Sequence, residues 1–413
     1  MTTKIWVIDK IKMFPYISQI KVNNCHTSKN FVFPEIELEE KRHIVLTGLN
    51  GSGKTTILNS IASHLENRKQ ANFDPLRKLK ATLSNNPSHP HVKQWQNEIE
   101  NLENVSLKFL NVTNEFLGED WDSKDYVISF FKAHRRVKFD DVSTVTKEQD
   151  FIDFYMKPKN DRVEVTSQKL KQYLVNKKVY EAFDFMESKA NNTNQNKIFF
   201  DQLENSLKTI FGDKKLFLEF YKEDFEFFVN FEDGRKITLN QLSEGFSAFL
   251  SIIIDLIINV DLIRKSNNDF KFDPNGIVLI DEPETHFHLS MQYEILPLIS
   301  TLFPNIQLIV ATHSPAIISS LKNAVVYDLT SKNEVSDWLL GSSFSELMIT
   351  HFGLDNEFSP IADKIIGDVR NAIIEKNPQK LKDILLVNQK YLTPSLRLEI
   401  ESQVIDLESK LQE

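Results

Sequence analysis

Residues 48–55 read Gly48-Leu49-Asn50-Gly51-Ser52-Gly53-Lys54-Thr55, a glycine-framed loop closed by lysine and threonine. No other feature of the chain restricts its fold as tightly. Glycines at this spacing let backbone N–H groups close round a β-phosphate. Lys54 brings a positive charge to the β and γ oxygens, and Thr55 offers a hydroxyl to Mg²⁺. His43-Ile44-Val45-Leu46-Thr47, just before it, reads as a short apolar strand. Thr56-Ile57-Leu58-Asn59-Ser60-Ile61-Ala62, just after, reads as a helix whose N-terminus favours an anion. Asn50, Gly51, Ser52, Gly53, Lys54, Thr55 and Thr56 are therefore the expected phosphate-binding set. The competing reading, a chance match in a glycine-bearing turn, leaves the strand before and the helix after unexplained.

The 413 residues allow two or three domains. A hydrophobic content of 41% with 26% charged residues fits a soluble globular protein with a full core. The formal net charge of −9 argues against coating nucleic acid by bulk charge, although a local basic stripe is compatible with it. The single cysteine, Cys25, excludes an internal disulfide and a cysteine zinc site. The first ten residues lack a signal-peptide core. Phe246 to Ile263 is the most apolar stretch, but Asp255, Asn259 and Asp261 interrupt it, so it reads as a buried helix with no membrane span. A cytoplasmic location is expected.

Ile17-Ser18-Gln19-Ile20-Lys21-Val22 alternates with period two, and Phe31 to Glu37 reads as a second strand. Asp74-Pro75 is a helix start, followed by two polar helices broken near residues 86–90. Tyr126-Val127-Ile128-Ser129-Phe130-Phe131 returns the chain to a strand, and residues 140–210 read as a helical excursion. Leu216 to Phe220 and Phe225 to Val229 are strands, and Asp233-Gly234 marks a hairpin. Gly276 to Ile280 and Ile306 to Ala311 are nearly all apolar, as central parallel strands are. The tail beyond about 330 reads as helical, with starts at Ser359-Pro360, Asn377-Pro378 and Thr393-Pro394. Its last helix puts Ile400, Val404, Leu407 and Leu411 on one face, for its own domain or for a partner.

Three further pieces follow the phosphate loop. Leu242-Ser243-Glu244-Gly245-Phe246-Ser247 opens the apolar helix, with Ser243 as N-cap and free N–H groups suited to an anion. The strand at 277–280 ends in Asp281-Glu282. Asp281 can hold Mg²⁺ directly or through Thr55. Glu282, one residue on, points elsewhere and is placed to polarise a water. Read alone, this pair is also an ordinary acidic strand end. Ala311-Thr312-His313-Ser314-Pro315 follows the second apolar strand and brings a histidine to the same edge.

In this order the pieces resemble the head of an ABC-class ATPase, over residues 15–66, 126–136 and about 200–325. Asp281-Glu282-Pro283-Glu284-Thr285-His286-Phe287-His288, with Ala311 to Pro315 and Phe130-Phe131-Lys132-Ala133-His134-Arg135, resembles the soluble ATPases of the Septu and overcoming-lysogenization-defect type. The signature departs from the transporter pattern at Glu244 and Phe246, and a Q-loop glutamine is missing, with His134 or Arg135 in that neighbourhood.

The resemblance implies an α/β fold. An ABC-type P-loop head would occupy residues 1–330, with helical inserts at about 71–118 and 140–210, and a helical region would follow over 331–413. It implies ATP and Mg²⁺ as ligands and a homodimer closed head to tail over two ATP molecules. Lys54, Glu282 and His313 would be catalytic, and Thr55 and Asp281 would hold the metal. Ser243 and Gly245 would come from the other subunit. A nucleotide-gated ATPase that controls a separate, nuclease-like effector in anti-phage defence is the leading implication. An SMC-like DNA-maintenance ATPase and an ATP-binding scaffold with little turnover are the alternatives.

No counterpart of the lysogenization-defect nuclease domain is expected after His313, where the chain reads as helices without a strand-borne acidic cluster. His286-x-His288 does not share a helix face and lacks a third ligand, so a metal other than Mg²⁺ is not expected. Ser314 beside His313 is adjacency and makes no triad. Arg135, Arg136, Lys138, Lys169, Lys171, Lys177 and Lys178 form either a basic strip for DNA or RNA or a solvated helix face.

Overall fold

The computed structural model describes residues 16–25, 28–69, 75–110, 126–133, 139–147, 149–150, 165–187, 190–267, 269, 272–285, 287–335, 346–347 and 360–412. They divide into two compact units, Met1–Gly341 and Ser342–Glu413.

The first unit is built on a six-stranded sheet. Its strands are β3 (His43–Thr47), β5 (Tyr126–Phe131), β9 (Asn275–Asp281), β10 (Ile306–Ala311), β11 (Ala324–Asp328) and β12 (Asn333–Glu334), in the order β12-β11-β3-β10-β9-β5. All neighbours run parallel except the β11–β12 hairpin. Every residue of β3, β10 and β11 is buried, which is why these segments are apolar without alternation.

A second, antiparallel sheet has the order β2-β1-β4, from β1 (Ile17–Cys25), β2 (Ser28–Phe33) and β4 (Val105–Phe109). Helix α1 (Lys54–Lys69) joins the two sheets into one core. Its Ile57, Leu58, Ile61 and Leu65 pack in one cluster with Ile20 and Leu107 of the antiparallel sheet and Leu46, Leu279 and Ile309 of the parallel one. Strand β2 ends at Phe33, earlier than its apolar run suggests, because Pro34 has no N–H to continue the ladder. Strand β4 lies inside the stretch expected to be a helical insert. Its alternating Val105, Leu107 and Phe109 are buried against β1, so the helices α2 (Pro75–Asn85) and α3 (Val92–Asn104) are followed by a return to the core. Asp74, the expected cap of α2, lies outside the described residues.

Helices α4 (Val165–Met186) and α5 (Ala190–Phe211) lead to a three-stranded antiparallel sheet of β6 (Phe217–Tyr221), β7 (Glu226–Asn230) and β8 (Lys236–Thr238). Helix α6 (Glu244–Asn267) follows, and its most apolar window is 94% buried inside the protein. Its polar residues have partners there. Asp255 accepts from Ser129 Oγ (3.3 Å) on β5 and from Asn259 Nδ2 (3.0 Å), and Asp261 accepts from Lys177 Nζ (2.8 Å) and from the Tyr173 hydroxyl.

Those bonds correct the expected basic strip. Lys171 and Lys177 are 1% and 3% exposed, so they present no surface charge to DNA or RNA and line no solvated face. Lys171 Nζ donates to Glu226 (2.6 Å), while Lys178 pairs with Glu181 (2.8 Å) and lies 4.0 Å over the Phe200 ring. Arg135, Arg136 and Lys138 lie outside the described residues.

The second unit holds α9 (Pro360–Ile374), α10 (Pro378–Asn388) and α11 (Pro394–Gln412); the short hairpin strand β12, in the stretch expected to be helical, belongs to the first. Asn377 Oδ1 accepts from Lys380 N (3.0 Å) and starts α10, and Thr393 Oγ1 accepts from Leu396 N (3.3 Å) and starts α11. Ile400, Val404 and Leu407 of α11 are buried with Ile365, Val369, Ala372 and Leu381 of the same unit, so these three pack at home, while the Leu411 side chain lies outside the described ones.

Gly276 in β9 pairs with Val127 of β5, and a Cβ there would sit 2.5 Å from the Val127 carbonyl oxygen and 2.7 Å from its Cβ. Gly276→Ala is therefore expected to cost about 1–3 kcal/mol of stability through overpacking between β9 and the edge strand β5. Denaturant unfolding with an unchanged m-value is the check, and a midpoint equal to the parent's refutes it.

Candidate active site

The parallel strands β3, β9, β10 and β11 (the last ending at Asp328) all deliver their C-terminal ends to one edge of the sheet. In open α/β sheets that edge is where ligands bind. The register fixes the level. Ala311 pairs with both Leu46 and Asp281, and Leu46 pairs with Tyr327. Four loops thus leave the sheet side by side.

The loop after β3 holds its glycines at positive φ, with Gly48 at 132°, Gly51 at 81° and Gly53 at 100°. A side chain at Gly48 is blocked as well as strained. Its Cβ would meet Thr330 Oγ1 at 2.9 Å and both Asp328 Oδ1 and Ser52 Oγ at 3.2 Å. Leu49 N–H donates to Thr330 Oγ1 (2.8 Å), and Asp328 Oδ1 in turn accepts from Thr330 N–H (2.8 Å). The turn after β11 therefore braces the loop from outside.

Lys54, at the start of α1, is 6% exposed and folds back over the loop. Its Nζ donates to the carbonyls of Gly48 (2.8 Å) and Leu49 (3.1 Å). Burial pushes its pKa down to about 8, opposed by the charges of Glu282, Asp281, Glu284 and Asp328. Asn50, Gly51 and Thr55 are exposed, Thr56 is half-buried, and Ser52 is buried with its hydroxyl 3.5 Å from Lys54 Nζ.

Thr55 Oγ1 donates to Asp281 Oδ2 (2.9 Å), so the residues expected to share a metal are in direct contact. Hydroxyl and carboxylate oxygens form a hard donor set that suits Mg²⁺. With the glycine cradle and Lys54, these residues fit a magnesium–nucleoside polyphosphate.

Strand β9 stops at Asp281, and Glu282 adopts a left-handed backbone with φ 47°, rare for a residue with a side chain. This corrects the expectation that strand alternation alone turns Glu282 away from Asp281. Its N–H still donates to Ala311 O (2.8 Å), which ties the turn to β10. His313 N–H donates to Glu284 Oε1 (2.7 Å), and Thr312 N–H donates to Leu46 O (3.0 Å). Burial and the nearby Lys54 hold His313 below its ordinary pKa, against the pull of Glu282, so its ring is neutral at neutral pH. Ser314 caps the short helix α8 (Pro315–Ile318) and its hydroxyl donates to Gln292 of α7 (Leu289–Leu302), which gives it a structural place and no nucleophile's partner.

Lys54, Thr55, Asp281, Glu282 and His313 thus meet at one edge. Ser243 and Gly245 stand apart from them. Ser243 is exposed at the start of α6, where its Oγ accepts weakly from Phe246 N–H (3.5 Å), and Gly245 is buried. Among the described residues no hydrogen bond joins either to the phosphate loop. His134, Arg135 and His286 lie outside the described residues. The site also includes Glu284, Asp328 and Thr330, which sequence reasoning had assigned no role.

The Septu protein PtuA of Bacillus thuringiensis is 24% identical over 370 residues, covering 82% of this chain and 85% of that protein. A protein described as "Retron Ec83 probable ATPase", from Escherichia coli, is 32% identical over 124 residues, which is 27% of this chain and only 23% of that protein's length. Among solved structures, the Smc head domain of Pyrococcus furiosus aligns with 78% of this chain and 95% of its own at 13% identity and a TM-score of 0.34. Residues 44–319, which run from β3 through α8 and contain every element of the site except the β11 turn, match the family described as "AAA domain, putative AbiEii toxin, Type IV TA system", and the chain belongs to that family of AAA-domain proteins.

Proposed function

We propose that this protein binds and hydrolyses ATP as a nucleotide-gated dimer and serves as the ATPase component of an anti-phage defence system that controls a separate effector. The observation that carries the hydrolytic part is the meeting of Lys54, the Thr55–Asp281 pair, Glu282 and His313 at one sheet edge. The defence setting is supported by the likeness to the Septu protein PtuA over most of both chains. A cytoplasmic location goes with that setting.

The roles follow from chemistry. Loop N–H groups and the Lys54 ammonium bind the β- and γ-phosphates. Thr55 and Asp281 would hold Mg²⁺, which when bound neutralises charge on the phosphate oxygens. A Glu282 carboxylate oxygen takes the proton of the attacking water as its oxygen approaches the γ-phosphorus in line with the leaving ADP. The neutral His313 ring donates one N–H to a γ-oxygen without adding a charge beside Lys54. Ser243 and Gly245 reach the γ-phosphate of a second copy, which makes the γ-phosphate the group that both halves grip.

Lys54→Ala is expected to abolish ATP binding by calorimetry. Glu282→Gln is expected to bind ATP normally, lose about 10²–10⁴-fold in kcat, and accumulate as an ATP-bound dimer in light scattering. Parent-level turnover by Glu282→Gln removes Glu282 from the chemistry.

The Lys54 environment also predicts a pH dependence. In the free protein the ammonium loses its proton above about 8, whereas against a triphosphate it keeps it. ATP binding therefore takes up a proton above that pH, and affinity falls about tenfold per pH unit there while staying flat below. Calorimetry in two buffers of different ionisation enthalpy reads the uptake directly, and Lys54→Arg is expected to show none. Affinity that stays constant between about pH 7.5 and 9.5 contradicts it.

The defence reading is tested by purifying tagged Glu282→Gln protein from its native host and identifying what accompanies it. A stoichiometric companion carrying a nuclease or other toxic active site supports the reading. Chromosomal DNA with no such companion favours the DNA-maintenance alternative.

A further inference from the structure

Two hydrogen bonds running in opposite directions join the loops after β9 and β10. Glu282 N–H donates to Ala311 O (2.8 Å), and His313 N–H donates to Glu284 Oε1 (2.7 Å). The first is backbone on backbone and survives any change of side chain. The second exists only because a carboxylate stands at 284.

The turn that carries Glu284 is itself fixed. It starts at the left-handed Glu282, the Thr285 hydroxyl donates back to Glu282 O (2.9 Å), and Phe287 N–H closes on Glu284 O (3.0 Å). On the other side Thr312 N–H is anchored to Leu46 O (3.0 Å) at the end of β3. His313 is therefore suspended between the strand that feeds the phosphate loop and a side chain from the turn that carries Glu282. Burial pushes the Glu284 carboxyl up, while the His313 N–H favours its charged form. A carboxyl in such a place is costly unless it has a fixed partner.

We propose that Glu284 is a positioning residue that sets His313 against Glu282 by accepting the His313 backbone N–H. The proposal rests on the ATPase reading of the site. In this role Glu284 acts through the His313 backbone, fixing the origin of the side chain that meets the γ-phosphate. A ring displaced by about 1 Å from a reacting phosphoryl group is enough to cost on the order of 100-fold in rate. A residue that only glued two loops together would affect stability and leave turnover of the folded protein alone.

The test uses the full chain with Glu284→Ala, Glu284→Gln, His313→Ala and the Glu284→Ala/His313→Ala pair. Two quantities are read, steady-state ATP turnover and hydrogen exchange at the His313 amide by NMR. Glu284→Ala is expected to lower kcat by about 10–100-fold with KM changed less than about threefold, and to open the His313 amide to exchange. Glu284→Gln still offers an oxygen to that amide, so it keeps the protection and recovers most of kcat. In the His313→Ala background, Glu284→Ala is expected to cost no more than about twofold further.

Equal losses for Ala and Gln, full additivity with His313→Ala, or an amide equally protected in Glu284→Ala each overturn the proposal. If Glu284→Ala does not fold, Glu284→Asp takes its place, since it keeps the charge but is one methylene too short to reach. A parent protein that hydrolyses no ATP defeats the ATPase reading by itself, and the exchange measurement still decides whether Glu284 holds His313.

Discussion

The register of the parallel sheet is the constraint on which the site depends. Pairing Ala311 with both Leu46 and Asp281 brings the exits of β3, β9 and β10 to one height, and pairing Leu46 with Tyr327 adds β11. A slip of one residue in β9 would reverse the facing of Asp281 and carry it away from Thr55. The slip is opposed from both sides, because Ile277 and Leu279 pack toward α1 while Val278 and Ile280, at alternate positions, are fully buried on the other face. The core that stabilises the sheet is thus also what aligns the chemistry.

The electrostatics follow from that alignment. Four loops arriving together bring Asp281, Glu282, Glu284 and Asp328 round one buried lysine. Desolvation dominates the balance, so Lys54 is held close to losing its proton while acidic groups surround it. Its ammonium is tethered to the carbonyls of its own loop, which keeps the loop in the arched form its three glycines allow. The left-handed backbone at Glu282 belongs to the same economy of space. Strained geometry of this kind persists only where its surroundings over-determine it, and here the Ala311 carbonyl and the Thr285 hydroxyl both do.

Much of this edge was legible because its pieces obey local rules. The phosphate loop is a motif with a mechanism, and β3, β9 and β10 show the unbroken apolar runs of strands covered on both faces. Strand β11 carries the same sign in Ala324-Val325-Val326-Tyr327-Asp328, an apolar run closed by a carboxylate like β9, but with no motif behind it to draw attention. Strand β4 also shows its period-two pattern, hidden by the polar helices before it. What no local rule could give is pairing at a distance. Lys171 meets Glu226 across 55 positions and Lys177 meets Asp261 across 84, so two lysines that read as surface charge are in fact interior. Glu284 was visible in its stretch, yet its partner is a backbone N–H on another strand, which side-chain chemistry alone does not announce.

Those buried lysines bear on how the two ends of α6 are related. At its start are Ser243 and Gly245, the residues proposed to meet the nucleotide of a second copy. Asp255 in its body is bonded to Ser129 of β5, and Asp261 further on to Lys177 and Tyr173 of α4. Buried charged pairs of this kind are weak sources of stability but strong penalties against separation, because parting them leaves a charge without compensation in the interior. A helix pinned in this way does not bend freely along its length. Any displacement imposed at Ser243 has to be either resisted by β5 or carried into α4. On the proposed function, a displacement at the start of α6 that β5 does not resist is carried into α4 through Asp261.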